Sequence, residues 1–324
     1  MKEVPGAAAS SRCGRAFLQL ENLFKIRYLW YTIPRDHQTW KAGERMRFTK
    51  MEGIGNDYIY INGFEERVDD PAGLSVRMSR YHFGCGADGL IMILPSMVAD
   101  FRMQMFNNDG SESEMCGNGI RCVAKYCHDR GLTDRTEFTI ESGGGIKVMR
   151  LNLGADGTVE SVCVDMGEPE LDGLKIPSVV PGKPVTGHPL NVDGRVYPVT
   201  LVNMGNPHAV AFVEDPDSAP VTTHGPLMER HPDFPNKTNV EFVQIIDRAH
   251  IRMRVWERGT GETLACGTGA CAAMVACVLG GHCGREVGVA LPGGTLRIEW
   301  NEKDNHVYMT GPATFVYDGE WLKD

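Results

Sequence analysis

The sequence predicts an α+β fold of two pseudo-symmetric, strand-rich domains, each built around one helix, and three observations carry that prediction. Short β-type runs separated by Gly, Asn and Asp turns dominate the chain from residue 46 onward. Two apolar helical patterns are embedded among these strands; a parallel α/β sheet would instead alternate the two element types. Each helical pattern follows a Cys-Gly-X-Gly turn, and the turns lie 150 positions apart, at Cys116 and Cys266, so the chain reads as an internal duplication.

In the first half, "RFTKM", "DYIYING", "GLIMILP" and "DFRMQMFN" read as strands. "GIRCVAKYCHDRG" then places Ile120, Val123, Ala124 and Cys127 on one helical stripe and stops at Gly131. "TEFTIES", "GIKVMRLNL" and "TVESVCVDM" return to strands around the turn "GADGT". The second half repeats the order: "YPVTLVNM", "AVAFVED", "NVEFVQIID" and "HIRMRVWERG", a helix after Cys266, then "GVALPGG", "LRIEWN" and "HVYMTG". The boundary falls near "DMGEPELDG". The expected N-terminal domain is 46–162 plus about 311–324, the last strand returning to it, and the C-terminal domain is 163–310.

Residues 1–45 read as an atypical N-terminal extension carrying +4, whereas residues 46–324 carry −13. Met46, just ahead of the first strand, is the expected true start. The apolar part of the extension is broken by Glu21, Lys25 and Arg27, so it is neither a secretory core nor a membrane span. A net charge of −9 over 324 residues disfavours nucleic acid and anionic membranes, leaving a small-molecule substrate as the expected partner. Ten cysteines without a secretory signal point to a reducing cytoplasm. Their x4 and x5 spacings miss the zinc-knuckle pattern, and no metal site is expected; Cys122, Cys127, Cys271 and Cys277 read as small core residues.

"GCGADG" at 84–89 matches a dinucleotide fingerprint but precedes a strand instead of opening a helix, so it reads as a turn. The two cysteine turns carry more chemistry. A thiol at a helix N-terminus sits beside unpaired N–H groups and the positive end of the helix dipole, which is expected to lower its pKa from about 8.5 toward neutrality. The following Gly-Asn-Gly and Gly-Thr-Gly segments leave backbone N–H groups free to close around a carboxylate. Two such turns facing each other across a cleft would put the α-carbon of an amino acid between two thiols. Proton removal from one face and return to the other inverts the centre, with no cofactor.

"MCGNGIRC" and "ACGTGACAA", with "KMEGIGNDYIYI", "FNNDGSESEMCGNGIRC", "VNMGNPHAV", "TNVEFVQ" and "VWERGTGETLACGTGACA", resemble diaminopimelate epimerase in family order over essentially 46–324. The resemblance implies a barrel-like layer around each helix, a homodimer, and Cys116 and Cys266 as the two acid–base residues. It further implies that His208 and Glu257 adjust the cysteines' protonation. Asn56, Asn107, Asn206, Asn239, Glu257 and Arg258 would bind substrate, and Gly117, Asn118, Gly267 and Thr268 would cradle its carboxylate. Glu52, Ala209 and Gly89 depart from the family's usual histidine, cysteine and glutamine. The residues alone leave open a related amino-acid racemase or, in another class, a thiol redox or metal-binding protein. Against these stand Asn118, where proline racemases carry histidine, and the lack of a C-x-x-C pair.

Overall fold

The computed structural model describes residues 45–322, so the reading of residues 1–45 as an extension lies, Arg45 apart, outside the described residues. Residues 45–321 form one compact unit. Its first half runs β1 (Arg45–Gly53), β2 (Asn56–Asn62), α1 (Pro71–Ser79), β3 (Gly89–Leu94), β4 (Phe101–Asn107), β5 (Glu112–Ser113), α2 (Gly117–Asp129), β6 (Glu137–Ser142), β7 (Gly145–Leu153) and β8 (Val159–Gly167). After β9 (His188–Val192) the order recurs. It runs β10 (Arg195–Asn203), β11 (Pro207–Phe212), α3 (Val221–Glu229), β12 (Asn239–Ile245), β13 (His250–Glu257), β14 (Gly261–Thr263), α4 (Gly267–Leu279), β15 (Glu286–Leu291), β16 (Gly294–Trp300) and β17 (Val307–Gly311). β18 (Thr314–Leu322) closes the chain by pairing with β1.

The duplication extends to the orientations of seven successive strand pairings in each half. In the first half β1–β2 is antiparallel, β2–β3 parallel, β3–β4 and β4–β5 antiparallel, β4–β6 parallel, and β6–β7 and β7–β8 antiparallel. From β10 to β17 the same sequence of orientations recurs. The halves join where β8 pairs antiparallel with β17, Cys163 opposite Thr310. A β1–β2 hairpin with Ile54 and Gly55 at positive φ brings Asn56 back opposite Gly53; in the second half a turn one residue longer, with Gly205 at positive φ, places Pro207 opposite Asn203 and leaves Asn206 in the turn itself.

Each half therefore wraps its sheet around one helix, and both helices are enclosed. In α4 every residue from Gly267 to Cys277 except Thr268 is buried, consistent with a helix that is apolar all round. α2 is buried from Gly117 to Cys127 although it carries Arg121 and Lys125, so its buried surface is wider than the stripe predicted from sequence. Each buried Val, Leu or Ile of these helices and the strands facing them contributes roughly 1.5–3 kcal/mol. The sequence reading assigned one helix per half; the structure adds α1 and α3, nine residues each. α1 starts at Pro71 with Asp70 capping the Gly73 N–H at 2.8 Å, a start signal hidden inside a turn-like Asp-Pro-Ala-Gly segment.

Candidate active site

Cys116 and Cys266 occupy equivalent places as the N-caps of α2 and α4, both with extended backbone. The helix N-termini meet head to head: a Cβ built on Gly267 would lie 3.7 Å from the Gly117 Cα and 2.9 Å from the sulfur of Met309. Met309 comes from β17, beside the seam between the halves, and is fully buried. Only glycine lets two helix starts approach so closely with a methionine packed against both. The consequence is electrostatic, because each N-terminus carries roughly half a positive charge and unpaired N–H groups.

Around Cys116, the Gly119 N–H donates to Sγ at 3.2 Å and the thiol donates to the side-chain Oδ1 of Asn56 at 3.1 Å. Asn56 is held in that orientation by Asp88, whose carboxylate accepts from Asn56 Nδ2 at 2.7 Å and from the Asp57 N–H at 3.2 Å. Asp88 belongs to the "GCGADG" turn, so that turn supplies a support for the first cysteine. Around Cys266 the groups are ionisable. Thr268 Oγ1 lies 3.6 Å from Sγ, and Glu257 accepts from Thr263 Oγ1 close by. His208 is fully buried, with Nδ1 bonded to Glu241 at 2.7 Å and Nε2 to Asn206 Oδ1 at 2.9 Å.

The expected lowering of the thiol pKa is reversed. Burial pushes Cys116 up more than the Gly119 and Asn118 N–H groups and the Arg121 charge pull it down. Cys266 is pushed well above the ordinary thiol range, first by burial and then by Glu257 and Glu241. Desolvation of an anion outweighs the helix N-terminus here. Burial also raises Glu257, while Thr263, Cys266 and His208 pull it back.

The other sequence-predicted residues sort by what their side chains touch. Asn118 Nδ2 donates to the Ala265 carbonyl at 3.2 Å, tying the start of α2 to the residue before Cys266. Asn107, at the end of β4, donates to Ser111 Oγ within its own turn. Asn239 donates to the Pro207 carbonyl at 2.7 Å and accepts from the Arg258 N–H at 2.9 Å, so both ends of its amide are engaged by backbone. Arg258 is exposed, with Nη1 3.4 Å from the Asn236 carbonyl. Sequence reasoning passed over Asp88, Glu241 and Arg121. Among buried polar atoms without a hydrogen-bond partner in the described residues, three cluster at this site: Asn118 Oδ1, Arg121 Nη2 and Glu241 Oε2. Among the described residues no group of three His, Cys, Asp or Glu side chains is placed to hold a metal ion.

The family model described as diaminopimelate epimerase matches residues 48–171 and 200–316. A diaminopimelate epimerase of Desulfovibrio desulfuricans is 54% identical over 282 residues, covering 85% of this chain and 98% of that protein. One from Acetivibrio thermocellus is 55% identical over 275 residues, covering 85% and 98%. Among solved structures, a hydroxyproline epimerase from Agrobacterium vitis superposes with a TM-score of 0.65 at 15% identity, covering 87% of this chain and 92% of that one, a likeness of fold.

Proposed function

The chain belongs to the diaminopimelate epimerase family and is an isomerase, and from that premise we propose that it interconverts LL- and meso-diaminopimelate through Cys116 and Cys266, without a cofactor. The observation that carries this reading is the head-to-head meeting of two N-capping cysteine turns. An amino acid held between them has its α-carboxylate against two sets of N–H donors and its α-carbon between two sulfurs. One sulfur, as thiolate, takes the α-proton and becomes a thiol; the other, as thiol, gives its proton to the opposite face and becomes a thiolate. The two proton transfers balance, and the centre is inverted.

The donors stabilise charge as it builds on the carboxylate in the transition state. In a dry site that stabilisation is larger than in water, which offsets the desolvation that raises both thiols. His208, oriented by Glu241, and Glu257 beside Cys266 bias which sulfur holds the proton. Asn56 and Asn206 orient polar groups near the reacting centre, and Arg258 offers a fork for the distal carboxylate. The pathway role is precursor supply for lysine and peptidoglycan in the cytoplasm, and the working unit is a homodimer.

The test is incubation with LL-diaminopimelate in deuterium oxide, following stereochemistry and α-label together. Wild-type protein should form the meso isomer with deuterium at the inverted centre. Cys116→Ser and Cys266→Ser should each lower turnover by at least about 100-fold with the fold intact. Near-normal turnover by either variant would falsify the two-thiol scheme, and equal rates on proline would reassign the substrate.

A further inference from the structure

Arg121 is the largest fully buried side chain described, at 0% exposure, in the second turn of α2. Its Nε donates to the Pro312 carbonyl at 3.1 Å and its Nη1 to the Gly117 carbonyl at 3.1 Å, while Nη2 has no partner. Backbone closes around it: a Cβ on Gly53 of β1 would come within 3.1 Å of Nη2, and one on Gly311 of β17 within 3.0 Å of Nε. The titratable groups facing it are Cys116 and Cys122 of α2, Tyr60 of β2 and Cys271 of α4. None is a carboxylate, and among the described residues no acid forms an ion pair with it.

A buried cation without a counter-ion is costly, and an apolar side chain of similar volume commonly serves the fold as well or better. The internal duplication makes the same point: the position equivalent to Arg121 in α4, 150 residues on, is Cys271, inside an equally buried helix. The architecture therefore does not require an arginine there. Its location explains it instead. Two positive helix ends already meet beside Cys116, and Arg121 adds a third positive pole held against the first turn of the same helix.

We propose that Arg121 is a positioning residue of the two-thiol site: it fixes the Gly117 peptide of the first turn and supplies the buried charge that stabilises a thiolate at Cys116. The inference rests on the two-thiol reading above. The remaining groups around Cys116 agree with it. Asn56 and Tyr58 of β2 are neutral, the Asn118 and Gly119 N–H groups are donors, and Glu257 of β13 is the acid that opposes the thiolate. Around Cys266 the charges run the other way, with Glu257 and Glu241 both resisting ionisation.

The experiment is the pH dependence of iodoacetamide alkylation at Cys116, read peptide by peptide by mass spectrometry, in the full chain and in Arg121→Met, Arg121→Gln and Arg121→Lys. Met and Gln should fold with melting temperatures at or near wild type and raise the Cys116 midpoint by at least about one pH unit. Lys should keep the midpoint near wild type, because it keeps the charge, while losing turnover through the lost fork on Gly117 and Pro312. A folded Met or Gln variant with an unmoved midpoint overturns the proposal, as does failure of all three variants to fold, which assigns Arg121 to the scaffold. Alkylation needs no turnover. Wild-type protein that leaves diaminopimelate unchanged while the midpoint shift persists overturns the substrate assignment and keeps the role of Arg121.

Discussion

Gly267→Ala tests whether the two helix starts must touch. The new Cβ would lie 2.9 Å from Met309 Sδ, 3.4 Å from Met309 Cε and 3.7 Å from the Gly117 Cα. The first distance is about 0.7 Å short of an ordinary contact, the others are near normal. Either Met309 moves its sulfur or α4 moves away from α2. Overpacking of this size costs about 1–3 kcal/mol, and the gain in helix propensity from Gly to Ala offsets up to about 1 of that. Net destabilisation should be about 0–3 kcal/mol by urea unfolding. Turnover should fall much further, by roughly 10- to 100-fold, because displacing a reacting group by a large fraction of an ångström misaligns both proton transfers. Met309→Val shortens the obstructing side chain. On that background Gly267→Ala should cost less in both measurements, giving a coupling of about 0.5–3 kcal/mol in the double-mutant cycle. Full additivity, or wild-type turnover by Gly267→Ala alone, would show that the helix contact has no bearing on the chemistry.

Two further outcomes are expected. Glu241→Ile leaves the buried His208 Nδ1 without its hydrogen-bond partner and should cost about 1–3 kcal/mol. Adding His208→Tyr recreates the Tyr58 and Ile91 pair found at the equivalent places in the first half and should restore most of that stability without restoring turnover; urea midpoints that fall further in the double variant refute the equivalence. Cys122 and Cys271 are pushed by burial from an ordinary 9.0 up to about 12. Above pH 9 the unfolded chain has released these protons while the native one retains them. Stability should therefore drop by roughly 1.4 kcal/mol per thiol per pH unit, levelling near pH 12. Equal urea midpoints at pH 8 and 10 would contradict that burial.

What the sequence revealed and what it hid follow from where each signal resides. The two central helices and the duplication were legible because the Cys-Gly-X-Gly turns and the strand alternation are local. α1 and α3 were not, since nine residues containing Gly73, or Gly225 and Pro226, look like turns until strands flank them. The apolar stripe at Ile120, Val123, Ala124 and Cys127 is buried, but it is only part of the buried surface. A helix enclosed by sheet buries its other faces too, and Lys125 escapes by reaching the Val159 carbonyl and Asp129. Glu241 lies in β12, whose first five residues are all buried, so no alternation distinguishes a supporting carboxylate from core. The thiol pKa is hidden from sequence for the same reason. The helix dipole can be read from a turn, whereas desolvation depends on everything folded around it.

The fold repeats more faithfully than the chemistry. Cys116 and Cys266, Asn56 and Asn206, and Gly117 and Gly267 are alike across the halves, but Tyr58 is answered by His208, Ile91 by Glu241, Asn107 by Glu257 and Arg121 by Cys271. Every exchange alters charge or ionisability, and the exchanges place the acids beside Cys266 and the unpaired cation beside Cys116. In the proposed reaction one sulfur must hold a proton while the other lacks one. A chemically symmetric pair would leave the two arrangements equal in energy and disfavour both through burial. Charge of opposite sign behind the two cysteines lifts that degeneracy without moving either sulfur. The backbone duplication fixes where the thiols stand, and the few positions that break the duplication decide which of them is armed.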